Sequence, residues 1–113
     1  MRRVCLILTV VLFFVIVDPI PIDAGTTPTV NIVGVDVRND GTFLVDISQG
    51  TTGAPACATV TNRMSANSST AGGKSLLQLA ISVYLSGRPV TVEGTGACSE
   101  YSNIESISRI YAY

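Results

Sequence analysis

The apolar positions of this chain follow three different rhythms, and each rhythm predicts a different kind of element. Residues 4 to 17, "VCLILTVVLFFVIV", are almost unbroken in their hydrophobicity. From residue 30 onward, short stretches alternate apolar and polar side chains, as half-buried strands do. Between residues 73 and 86, apolar residues recur every three or four positions, which is the helical period.

The alternating stretches come in five pieces. "VNIVGVDV" (30–37) is rich in β-branched residues and predicts a strand. "RNDG" (38–41) predicts a tight hairpin turn, since Asn39 and Asp40 tolerate turn geometry and Gly41 accepts positive φ. "TFLVDIS" (42–48) is the returning strand, with Phe43, Val45 and Ile47 on one face and Asp46 and Ser48 on the other. After the loop "QGTTGAP" (49–55), "ACATVTN" (56–62) predicts a third strand. The polar, glycine-rich "RMSANSSTAGG" (63–73) reads as a connection.

The helix is expected over Gly73 to Ser86, with Leu76, Leu77, Ala80, Ile81 and Tyr84 forming its buried stripe. Lys74, Gln78 and Ser82 fall on the opposite, wet side. Ser69 or Thr70 supplies the N-terminal cap. Gly87 ends the helix in a left-handed conformation, and Pro89 blocks its continuation. "PVTVEG" (89–94) and "IESISRIYAY" (104–113) are the last two strands, joined by the turn-rich "TGACSEYSN". The last strand puts Ile107 and Tyr111 on one face and Ile104 and Ile110 on the other.

The order is therefore β-β-β-α-β-β. One helix is too small to cover both sides of an open sheet. The expected fold is mainly β, an OB-like curled five-stranded barrel with one helix closing an end. The alternative is a two-layer α+β sandwich with an antiparallel sheet.

The first apolar run changes how the rest is counted. Arg2 and Arg3 precede it, Asp18 ends it, and its 14 residues fall short of the roughly 20 that a membrane-spanning helix needs. This is the layout of a secretory signal peptide, with cleavage expected after Ala24. Residues 1–24 are thus assigned to the signal and 25–113 to a single domain, secreted or periplasmic. Removing 24 residues from 113 leaves 89, of which five are basic and six acidic, in no block of either sign. Nucleic acid is not an expected partner, and no membrane span is expected after cleavage. Cys5 leaves with the signal, so Cys57 and Cys98 remain, and an oxidising compartment favours joining them. Two free thiols, or an intermolecular pair, are the alternatives.

Candidate chemistry is sparse. The chain has no histidine, so the usual neutral-pH base and commonest metal ligand are both missing. Serines are plentiful but lack an activating base, and "AGGKS" around Lys74 does not have the phosphate-loop spacing. Asp36, Asp40 and Asp46 cluster near the hairpin without calcium-ligand spacing, and Glu93, Glu100 and Glu105 read as solvated surface. No enzyme activity, cofactor or metal is expected, and no catalytic residue is assigned. "NSS" (67–69) matches a glycan-acceptor sequon. Ser99, Tyr101 and Asn103, beside Cys98, form the candidate ligand site: an aromatic platform with short polar groups.

The run "GGKSLLQLAISVYLSGRPVTVEGTGACSEYSNIESISRIYAY", with Cys57 in "APACATVTN", resembles the B subunits of subtilase-cytotoxin and pertussis-like toxins, and small exported bacterial proteins related to them. The resemblance covers roughly residues 54–113 and rests on aromatic, glycine, proline and cysteine positions. It implies an OB-like fold, binding of sialylated glycans and assembly as rings of five. Those subunits commonly carry tryptophan and further cysteines, which this chain lacks after residue 24. The function expected is therefore that of an exported, non-enzymatic bacterial binding domain with carbohydrate as ligand. The alternative is a structural or protein-interaction subunit with no small-molecule ligand.

Overall fold

The computed structural model describes residues 24–113. The expected signal segment, apart from Ala24, lies outside the described residues. The elements run β1 (Ile32–Val37), β2 (Thr42–Ile47), β3 (Val60–Asn67), α1 (Ala71–Ser86), β4 (Val90–Gly94) and β5 (Ile104–Ala112).

The β1–β2 hairpin forms where its turn residues demand it. Arg38 N–H donates to the Thr42 carbonyl at 2.8 Å, and Gly41 turns the chain at φ 92°. Asp40 Oδ1 accepts from Thr42 N–H at 2.9 Å, which holds the Asp40 carboxyl below its ordinary value of 3.8. Helix α1 is capped by Thr70, whose hydroxyl accepts from Gly73 N–H at 3.0 Å. It ends at Gly87, at φ 69°.

Strand order is β1-β2-β3-β5-β4. All neighbours are antiparallel except β3 and β5, which run parallel, the connection between them being α1 followed by β4. The sheet is therefore mixed, which corrects the antiparallel expectation. The OB-like barrel is corrected as well. β1 and β4 stand at opposite ends of the strand order and share no ladder, so the strands form an open sheet with α1 packed on it, a two-layer α+β arrangement. What runs along β4 instead is the lead-in to β1. Thr27 N–H donates to the Val92 carbonyl at 3.0 Å, and Val30 and Val90 exchange bonds of 2.8 and 2.7 Å, giving only isolated bridges. Pro28, which lacks an N–H, lies between these contacts and interrupts a regular ladder. The lead-in covers the β4 edge without making the sheet a closed barrel.

The core lies between the sheet and α1. Phe43, Val45, Met64, Val90 and Val92 are completely buried, with Ile32, Ile47, Ala66, Ala80, Val83, Ile107 and Ile110 around them. The third strand is displaced from its expected place. Residues 63–67, read as connection, are the half of β3 that pairs with β2 in register, Val45 opposite Met64 and Phe43 opposite Ala66. β5 also departs from simple alternation. A register shift opposite Glu93 and Gly94 brings Ile107 and Ile110 into one core and leaves Tyr111 exposed.

Candidate functional site

Cys57 and Cys98 form a disulfide, with Cα atoms 6.3 Å apart across 41 positions of sequence. It ties the loop before β3 to the loop before β5, and the expected ligand residues follow it directly. Ser99 is exposed, and its N–H donates to Ser106 Oγ at 3.0 Å. Tyr101 is half-buried with the Arg38 guanidinium 5.3 Å from its ring centre, and it forms a bridge with Ile104. Asn103 is exposed, and its carbonyl accepts from Val60 N–H at 3.2 Å. Beneath them lies a network in which Ser106 Oγ donates to Glu100 and Ser65 Oγ lies 3.5 Å from the same carboxylate oxygen.

A hollow of about 180 Å³ opens beside this network, lined by Ala66, Asn67, Thr70, Gly73, Leu76, Glu100 and Ile107. It is smaller than the roughly 300 Å³ at which ligand pockets usually begin. No aromatic side chain lines it. The tyrosines do not gather either: Tyr101 lies under Arg38, Tyr84 projects from α1, and Tyr111 and Tyr113 pack edge-to-face on each other at 5.0 Å. A sugar ring requires a flat aromatic face beside a concave polar site, and these pieces are not assembled. The carbohydrate-binding expectation, and the toxin-B-subunit reading that went with the barrel, are overturned by this arrangement and by the open sheet.

What the surface does offer is apolar. Ile81, Tyr84 and Leu85 form a row at helical spacing on α1, and Leu85 is 77% exposed. Sequence periodicity assigned Ile81 and Tyr84 to the core, but the face that meets the sheet is centred on Gly73, Ala80 and Val83, with Leu76, Leu77 and Leu79 at its margins. The helix is apolar over an arc wider than the sheet can cover. The ends of β4 and β5 carry a second exposed group. Tyr113 OH and Thr91 Oγ1 are 2.9 Å apart, and this hydrogen bond holds the Tyr113 phenol below its ordinary value. Arg88 Nη1 donates to the Tyr113 carbonyl at 3.1 Å.

Sequence reasoning also missed Glu105. It is 2% exposed rather than solvated, and its carboxylate accepts from Gly25 N–H and Gly96 N–H. The signal was present in the glycines at 25 and 94, where the missing Cβ leaves room for the carboxylate to approach backbone. Among the described residues no group of three or more His, Cys, Asp or Glu is placed to hold a metal ion, and no helix is long and apolar enough to cross a membrane. No protein-family model matches the chain, and no curated protein or solved structure matches it.

Proposed function

We propose that this protein is an exported, non-enzymatic structural subunit that assembles with copies of itself through the outer face of α1. The observation that carries the reading is the row Ile81, Tyr84 and Leu85, apolar and exposed on one helix face. Contiguous exposed apolar surface of this kind marks contact sites, and tyrosine is favoured where a contact is half-wet. A net charge of −1 supplies little repulsion between like copies, and symmetric self-association is the commonest form of assembly. The leader-like N-terminus and the disulfide support a secreted or periplasmic setting.

Sedimentation of the exported protein over a range of concentrations tests the assembly. A mass above the monomer is expected, and Leu85→Asp should return it to the monomer while its thermal unfolding matches that of wild type diluted until it dissociates, because Leu85 is 77% exposed and contributes almost nothing to the core of the single chain. A wild-type protein that stays monomeric at every concentration refutes the proposal.

A further inference from the structure

Gly25 occupies an unusual position. Its nitrogen lies 3.1 Å from Glu105 Oε1 and 3.0 Å from Glu105 Oε2, so one nitrogen sits against both oxygens of a carboxylate that is 2% exposed. A peptide N–H has a single proton to share between two acceptors, whereas an ammonium has three. The carboxylate is otherwise satisfied by Gly96 N–H at 2.9 Å. Among the described residues the ion pairs are Arg63–Asp46 and Arg109–Glu93, and neither cation reaches Glu105. A buried carboxylate is strongly stabilised by a charged partner and costly without one.

Two further features hold Gly25 in place. Its carbonyl accepts from Gly94 N–H at 2.8 Å, and Thr26 is bridged to both Thr52 and Glu93. A Cβ at position 25 would lie 2.4 Å from Glu105 Oε1 and 3.0 Å from Thr51 Cβ, so no larger residue fits there without displacement. Ala24, immediately before it, is exposed. The buried side of the boundary begins at Gly25.

We infer that the Ala24–Gly25 bond is a processing site and that the α-ammonium released at Gly25 is the buried counter-ion of Glu105. The inference rests on the proposed export route. Hydrolysis adds one water across the peptide bond, leaving a carboxylate on Ala24 and an ammonium on Gly25, and the catalyst is an endopeptidase that cuts after small residues. Because Gly25 is buried in the folded domain, cutting precedes folding, while the chain is still extended. Folding then draws the new amine onto Glu105, so only a correctly cut chain completes the ion pair.

The test uses the full chain, expressed in an exporting bacterium and recovered outside the cytoplasm. Intact mass should correspond to a product starting at Gly25; any other first residue overturns the processing site. Failure of the chain to leave the cytoplasm would instead refute the export reading. The amine is then probed with an acylating reagent, using Lys74 as an internal reference, since it is exposed and the chain has no other lysine. In unfolded protein near pH 7 the α-amine has roughly 200- to 400-fold more neutral, reactive form than a lysine and should react first. In folded protein the order should invert. Glu105→Gln should raise the α-amine rate toward its unfolded value. Should that variant not fold, the inversion in wild type decides the matter alone: an α-amine that still outpaces Lys74 in the folded state overturns the ion pair.

Discussion

Replacing Gly94 with alanine should remove a large part of the stability of this domain. A Cβ at position 94 would lie 2.0 Å from Glu105 Oε2 and 2.1 Å from its Cδ, far inside contact distance. The carboxylate cannot simply turn aside, because it is holding Gly25 N–H and Gly96 N–H. Displacing it strands two buried or half-buried donors at about 1–3 kcal/mol each, or about 2–6 kcal/mol together. A domain of this size has roughly 5–13 kcal/mol in total. The variant should therefore lose near half its stability. Urea unfolding followed by far-ultraviolet circular dichroism measures it, with an unchanged m value showing that the same surface is exposed on unfolding. Gly72→Ala is the matched control, since a Cβ there meets nothing within 4 Å and lies in the first turn of α1. It should be neutral or stabilising by up to about 1 kcal/mol. A Gly94→Ala variant within about 0.5 kcal/mol of wild type would refute the claim that Glu105 is clamped, because variation of that size is ordinary for an unconstrained surface site.

Three other outcomes are expected. Cys57→Ala with Cys98→Ala should cost about 4 kcal/mol in the same urea experiment, the chain-entropy value for a crosslink spanning 41 positions. Thr70→Ala should cost about 1 kcal/mol and fray the start of α1, visible as faster amide exchange at Gly73, whose N–H loses its acceptor. Asp40 has a depressed carboxyl, so the stability it adds is complete above its ordinary value of 3.8 and is lost as pH falls through the lower folded value. Asp40→Asn should flatten that acid limb of the stability profile while leaving its neutral-pH shape alone; an unchanged limb would show that the Thr42 contact does not act through charge.

The parts of the structure legible in the sequence are those decided within a few residues. The hairpin at 38–41, the Gly87 helix stop and the inward face of Phe43, Val45 and Ile47 follow from turn chemistry and period-two alternation. The pairing of Cys57 with Cys98 followed from counting. The rest depends on partners distant in sequence. Residues 63–67 are small and polar and look like loop, yet β2 offers a complete hydrogen-bonding edge, and Met64, Ser65 and Ala66 are buried against it. The helix period shows that α1 is apolar, but which arc faces inward was set by the sheet beneath it, leaving Ile81 and Tyr84 outside. The expected ligand trio at Ser99, Tyr101 and Asn103 was local by construction, and no sequence pattern could say whether a concave site would form around it.

Sequence by itself thus determined the number and order of elements, their caps and turns, and the crosslink, because each arises from short-range sterics or from residue inventory. Tertiary structure alone decided the parallel pairing of β3 with β5, the open ends of the sheet, the exposed row on α1 and the burial of Glu105. A carboxylate reads as surface wherever it is written. The long-range approach of Gly25, 80 positions away, adds to the nearby Gly96 N–H the donor that lets this one go inside.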